Sequence, residues 1–285
     1  MIICVVGPTG VGKTKLSVEL AKKYNAVVLN CDSMQVYKGL DIGTAKVTEE
    51  EKDGVPHYLF DIVEPTDMYT VYDYQKDLRE KLEEFKDRNI VIVGGTGLYL
   101  KAGLFNYEFD EESEYNSYED KTNEELFKMV KEIDPNLDIH VNNRKRLVRV
   151  LNRGSVKTNK DEMLYDAIII GLTTDRDTLY DRINKRVDIM VENGLLDEVK
   201  YFYDKDIRSK AIMTGIGYKE LYDYFDNKCT LEEALDLIKQ RSRKYAKRQY
   251  TWFKNQMDVK WIDVDFENFN NTINEAVKYI DSKED

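Results

Sequence analysis

Short apolar runs at residues 2–6, 26–31, 90–93 and 167–172 alternate with longer stretches in which apolar positions recur at helical spacing. That alternation predicts an α/β fold, a parallel sheet of buried strands with helices packed on it. After residue 14, Leu16, Leu20, Ala21 and Tyr24 define one amphipathic helix, and Thr70 stands as a cap before the stripe Val71, Tyr74, Leu78, Leu82 and Phe85. Residues 56–63 read as a short strand and 259–262 as a last one. Further helices are expected over 123–133, through the basic stretch that follows (Leu147, Val150 and Leu151 inward), and over 176–193 (Ile183, Val187 and Met190 inward). Others start at Leu195, at the glycine turn 214–217 and at Leu231, and the tail beyond Asp265 reads as an ordinary polar helix. Residues 106–120, acidic and tyrosine-rich, and 152–162, polar, show no periodicity. Residues 105–165 are therefore taken as an inserted helical lid in a core made of 1–104 and 166–285.

The first strand-to-helix junction carries the plainest chemistry. Gly7, Pro8, Thr9, Gly10, Val11, Gly12, Lys13 and Thr14 satisfy G-x-x-x-x-G-K-[ST] at every defined position. Backbone amides of such a loop turn inward around phosphate oxygens, Lys13 neutralises the terminal phosphate, and the Thr14 hydroxyl is offered to a magnesium ion (Mg2+). Asp32 stands at the end of the second strand, where ligand crevices of parallel sheets open, and should face this loop. It reads equally as a catalytic group, a helix cap or a companion of magnesium. The strand at 90–93 ends in Gly94-Gly95-Thr96-Gly97 with no Asp after it, so the second metal carboxylate of many P-loop NTPases is missing; Thr96 is a ligand-facing hydroxyl or a plain turn residue. Arg182 and Arg186, four apart, would bind a leaving or transferring phosphate, or else form a surface ion-pair face with Asp181 and Asp188.

Composition narrows the class. The chain has 285 residues, 42% hydrophobic, and a net charge of -11. No apolar run approaches a membrane span and no leader is evident, so a cytoplasmic location is expected. Three cysteines and two histidines offer neither a disulfide framework nor metal-ligand spacing. The charge is unevenly spread, with Arg144, Lys145, Arg146, Arg149 and Arg153 in one unopposed cluster and Lys239, Arg241, Arg243, Lys244, Lys247, Arg248 and Lys254 in another. Tyr245, Tyr250, Trp252 and Phe253 interleave the second. Solvated helix faces would explain either cluster, but two of them on an acidic chain favour nucleic-acid phosphates.

At this point the sequence resembles the tRNA dimethylallyltransferases, also called tRNA isopentenyltransferases. The pieces are G-P-T-G-V-G-K-T at Gly7, D-S-M-Q-V-Y-K-G-L-D-I-G-T-A-K at Asp32, P-H-Y-L-F-D at Pro56, V-G-G-T-G-L-Y at Val93, R-I-N-K-R at Arg182, G-Y-K-E-L at Gly217 and A-K-R-Q-Y-T-W-F at Ala246. They occur in the family's order over most of the chain. The resemblance implies a P-loop-like core and transfer of a dimethylallyl group from dimethylallyl diphosphate to N6 of the adenine 3′ of the anticodon, with magnesium. It implies that Asp32 meets the N6 amino group, that Thr96 bonds the bridging oxygen, and that Arg186, with the loop and Arg182, stabilises the departing diphosphate. By the same resemblance Asp32, Ser33, Met34, Gln35, Lys145, Arg146, Arg149, Gly217, Tyr218, Lys219, Lys247, Arg248 and Gln249 touch the tRNA anticodon stem-loop; separately, a monomer is expected. Family insertions are usually longer, so no lid residue is carried over from 106–120. A P-loop small-molecule kinase, prenyl transfer to free AMP and a nucleotide-switched RNA binder are the competing readings. The basic, aromatic C-terminal helix disfavours the first two, and the third leaves Asp32 and Thr96 without a purpose.

Overall fold

The computed structural model describes residues 1–107, 117–153 and 162–284. Within them, β1 (Ile2–Val6), β2 (Ala26–Asn30), β3 (His57–Tyr58), β4 (Asn89–Val93), β5 (Ala167–Thr173) and β6 (Lys260–Asp263) form one six-stranded sheet in the order β3-β2-β4-β1-β5-β6. Every pairing is parallel. The expected α/β class is therefore observed. β1 lies between β4 and β5, with Ile3 opposite Val91 and Ile168, so both of its edges are paired and the loop it feeds leaves from the middle of the sheet.

The chain divides into two compact units, Met1–Leu104 with Tyr165–Asp285, and Phe105–Leu164. In the first, α1 (Lys13–Lys23), α2 (Glu49–Lys52), α3 (Val71–Glu84) and α4 (Gly97–Leu104) follow the early strands. Thr70 caps α3 in a capping box closed by Asp73. The short strand stops at Tyr58 because Leu59 and Asp61 take positive φ (66° and 52°), which turns the chain out of the sheet before the eight residues expected to extend.

In the second unit, α5 (Asn123–Ile133) and α6 (Arg144–Arg153) pack through Leu126, Val130, Ile139, Leu147 and Val148. Val148 is buried beside Leu147, and Val150 and Leu151, expected to face inward, pack half-buried against the same cluster. At the described ends of this unit Phe105 and Met163 form an antiparallel bridge, and Asn106 N–H donates to the Glu162 carbonyl at 2.8 Å. The expectation of unstructured connections at 106–120 and 152–162 falls mostly on residues 108–116 and 154–161, which lie outside the described residues.

The first unit continues with α7 (Arg176–Glu192), α8 (Leu195–Asp204), α9 (Lys210–Thr214), α10 (Tyr218–Phe225), α11 (Leu231–Gln256) and α12 (Phe269–Glu284). One core cluster joins Ile3, Val5, Val28, Val91 and Ile170 of the sheet to Leu16 and Leu20 of α1 and to Ala276 and Ile280 of α12. The tail is thus an amphipathic helix that completes the core, where an ordinary polar one was expected. A second cluster, with Val36, Leu40, Val187, Leu195, Phe202, Tyr218 and Ile238, fixes α7, α8, α10 and α11 behind the loop that follows β2.

Candidate active site

The loop between β1 and α1 forms one wall of a cavity of about 620 Å³. Gly12, the residue that starts α1, has φ 91°, a left-handed conformation that a side chain would strain. Thr9, Gly10, Gly12, Lys13 and Thr14 line the cavity. Gly7, Pro8 and Val11 shape the loop from behind: Gly7 sits against the backbone of Leu172, Val11 is fully buried, and the Pro8 carbonyl accepts from Lys13 Nζ at 2.7 Å.

Two arginines of α7 close on the same loop, and the buried Ile183 beside them packs against Gly10, so that Arg182, Ile183, Arg186 and Val187 all line the cavity. Arg182 Nε donates to the Gly10 carbonyl at 3.0 Å, and Arg186 donates to Thr9 Oγ1. The Arg182–Arg186 pair is thus turned onto the phosphate loop rather than onto a surface ion-pair face. Burial, then the charge of Arg186, lowers the Lys13 pKa to about 8, with Asp32 pulling the other way. Arg186 is lowered by burial, against the opposing pull of Asp32 and then Glu51. The Asp32 carboxylate is therefore the near counter-charge of both cations, facing the loop as expected.

Asp32 is held by Asn30, a fully buried side chain that sequence reasoning missed. Asn30 Oδ1 accepts from Asp32 N–H at 2.9 Å, and its Nδ2 donates to the carbonyls of Asp32 and Leu59 at 3.1 and 3.0 Å. Asp32 Oδ1 accepts from Met34 N–H at 2.9 Å. A polar residue ending an apolar run was the available signal. Thr96 Oγ1 accepts from Ser33 N–H at 3.0 Å and donates to Ser33 Oγ at 3.3 Å, which places it directly behind a residue that lines the cavity. In this arrangement Thr96 braces the Asp32–Ser33 turn.

The segment after β2 arches over the cavity. Ser33, Met34 and Gln35 line it, and Gln35 Nε2 donates to the carbonyls of Thr44 and Ala45 at 3.0 and 3.2 Å. Glu198 of α8 accepts from three consecutive amides, Asp41, Ile42 and Gly43, at 3.0, 2.7 and 3.0 Å, and also from the Tyr218 hydroxyl.

Helix α11 forms the opposite rim. Gln249, 5% exposed, accepts from Thr9 N–H at 2.9 Å and donates to the Gly95 carbonyl at 3.1 Å, so one amide ties the phosphate loop to the turn after β4. Gly95 and Gly97 permit this contact: a Cβ on them would lie 2.0 Å from Gln249 Nε2 and 1.9 Å from Trp252 Cε3. Tyr245 lines the cavity, and burial first, then the charge of Asp32, raises its phenol pKa.

Of the residues read as tRNA contacts, Gln249 and Tyr218 are largely buried, with polar atoms bonded to Thr9, Gly95 and Glu198, and both line the cavity. Gly217 lines the cavity and Lys219 is exposed. Lys247 and Arg248 are exposed, Arg248 at the cavity. The α11 cluster is less unopposed than it reads: Lys239 pairs with Asp188, Arg241 with Glu220, and Arg243 donates to Asn184 Oδ1. In the second unit Lys145, Arg146 and Arg149 are exposed on α6, whereas Arg144 donates to the carbonyls of Tyr118 and Lys121.

Among the described residues no group of three or more His, Cys, Asp or Glu side chains is gathered to hold a metal. The Thr14 hydroxyl at the cavity wall fits an ion that takes its other ligands from phosphate oxygens and water, which is how magnesium binds at phosphate sites. No helix among the described residues is long and apolar enough to cross a membrane.

A glycine loop leaving the middle of a parallel sheet for a helix, with cations turned onto it, defines a P-loop-like α/β protein. Comparison with known proteins narrows that class. The IPP transferase family profile matches residues 35–256. A tRNA dimethylallyltransferase of Bacillus velezensis is 50% identical over 92% of this chain and 90% of its own length, and that of Bacillus subtilis 47% identical over the same shares. The solved full-length tRNA isopentenylpyrophosphate transferase of Bacillus halodurans superposes with TM-score 0.77 at 45% identity, covering 99% of this chain and 96% of that one. A eukaryotic dimethylallyltransferase solved acting on tRNA superposes with TM-score 0.79 at 28% identity, covering 92% and 73%. The chain belongs to the IPP transferase family.

Proposed function

We propose that the cavity holds dimethylallyl diphosphate with its phosphates on the loop at Gly7–Thr14 and admits adenine N6 of a tRNA from the α11 side. The chain is a prenyltransferase that acts on tRNA, as its family membership and full-length relatives establish. The finer reading is that the adenine is the one 3′ of the anticodon and that the protein works as a cytoplasmic monomer on the anticodon stem-loop. The observation that carries the site is the convergence of Lys13, Arg186 and Asp32 on one cavity whose other rim bears Tyr245 and Arg248.

The chemistry follows from charge. N6 attacks C1 of the dimethylallyl group, the C1–O bond breaks, and pyrophosphate leaves carrying the electron pair. Loop amides, Lys13, Arg182 and Arg186 stabilise that growing negative charge in a site already organised for it. Asp32 positions the amino group and takes its proton. Magnesium held near Thr14 would offset further charge on the departing diphosphate. Thr96, within reach of Ser33, holds the turn that aims Asp32 and stands next to the place where a bridging oxygen would lie. Ser33–Gln35 and Gly217 present the base channel, while Lys219, Lys247, Arg248 and the α6 cations supply phosphate contacts that position without specifying.

Purified protein, dimethylallyl diphosphate and unmodified tRNA should yield pyrophosphate and a prenylated adenosine at that position, read by mass analysis of the tRNA nucleosides. AMP or ATP in place of tRNA should not. Product formed on free AMP with tRNA inert would overturn the acceptor assignment.

A further inference from the structure

The family profile ends at residue 256, yet two rings beyond it rest on the phosphate loop and on its arginine. Phe266 lies in the turn between β6 and α12, and its ring centre is 3.8 Å from the guanidinium carbon of Arg182. The same guanidinium donates through Nε to the Gly10 carbonyl, so it is held between a ring face and the loop backbone while lining the cavity. Phe269 opens α12. A Cβ on Gly12 would lie 2.9 Å from its Cε2, and the Lys15 ammonium sits 4.8 Å from its ring centre.

We propose that Phe266 and Phe269 are positioning residues for the diphosphate, contributed by the C-terminal helix: Phe266 fixes the Arg182 guanidinium and Phe269 backs the loop at Gly12. The inference rests on the diphosphate reading of the cavity and deepens it. An exposed arginine samples many rotamers, and a ligand that needs one of them must order it. A ring stacked on the guanidinium does that ordering beforehand and adds a cation–π attraction that a ligand anion does not remove. Phe269 acts on the backbone, filling the side of Gly12 that its missing side chain leaves open.

Both rings also pack against the main core, so bulk and ring face must be separated. Leu keeps the apolar bulk and loses the face; Tyr keeps the face. Pyrophosphate binding by the full-length protein, measured by titration calorimetry, should weaken about 2- to 5-fold in Phe266→Leu, the factor expected of an exposed cation–π pair. It should recover in Phe266→Tyr. In an Arg182→Ala background the Phe266→Leu change should have no further effect. Phe269→Ala, which removes the bulk behind Gly12, should weaken pyrophosphate binding without changing tRNA affinity, and Phe269→Leu, which keeps that bulk, should retain it. Should Phe266→Leu fail to fold, Phe266→Met serves the same comparison. Leu and Tyr variants that bind pyrophosphate equally, or losses that fall on tRNA affinity to the same degree, would overturn the inference. A wild-type protein that fails to bind pyrophosphate at all would instead remove the diphosphate reading beneath it.

Discussion

A lysine ammonium packed between its own loop and a neighbouring guanidinium loses hydration without gaining a full counter-charge, and Lys13 is in that position. With its pKa near 8 in the free protein, Lys13 is charged below that pH and neutral above it. Bound diphosphate favours the charged form, so binding raises the pKa and takes up protons around pH 8. Pyrophosphate affinity should therefore fall as pH rises through about 8, beyond what ligand titration explains, and Lys13→Arg should lack this component. Calorimetry between pH 7 and 9 in buffers of different ionisation enthalpy measures both; identical profiles for the two proteins would refute the assignment. Asp32→Asn keeps an acceptor for Met34 N–H but loses the charge and the base. Turnover should drop roughly 10²- to 10⁴-fold, while pyrophosphate affinity holds or improves because a like charge is gone. Turnover within a few-fold of wild type would mean that another group accepts the proton. Asp32 was legible because strand ends line the crevice of a parallel sheet. Asn30 offered only its polarity at the end of an apolar run, since the Leu59 carbonyl that it also binds is brought to it by folding. The part played by Thr96 depends on a hydroxyl direction, which no spacing encodes.

At the scale of elements, α11 is both a binding surface and a clamp. Its start was readable as a capping box of Thr230 and Glu233, and the period of 3.6 puts Ala246, Gln249 and Phe253 on one buried stripe. A glutamine on an apolar stripe is a signal of a structural hydrogen bond, and Gln249 makes two. Gln249→Leu should leave Thr9 N–H and the Gly95 carbonyl unpaired, each costing about 1–3 kcal/mol. Thermal melts should show the loss, and pyrophosphate affinity should fall with it because the phosphate loop is released. An unchanged melting temperature would show that the leucine is absorbed by repacking. The strand after residue 56 was overread for a related reason: apolar content marked the segment, but backbone turns at Leu59 and Asp61 decided its length.

Across the whole molecule, sequence order hid the pairing of charges. The α11 cluster reads as seven free cations, yet Asp188 and Glu220, far away in the chain, neutralise Lys239 and Arg241. Neutralising Lys247 and Arg248 should weaken tRNA binding and reduce the slope of log affinity against log salt by up to about one per lost phosphate contact. Replacing Arg241 should leave that slope alone and destabilise the fold, since Glu220, 1% exposed, loses its partner. Equal slope changes for both sets would place the internal pairs on the tRNA surface. The sheet, by contrast, was legible at this scale, because buried parallel strands are continuous apolar runs that need no knowledge of partners.

The carboxylate of Glu198, closed around three successive amides of the Asp41–Gly43 turn, makes the arch's shape an outcome of folding rather than of encounter. An incoming RNA then meets a lip already set, and little of its affinity goes into immobilising that stretch. Those amides should exchange slowly with deuterated solvent before any substrate arrives, and Glu198→Gln, which surrenders the negative charge while keeping the outline, should speed them.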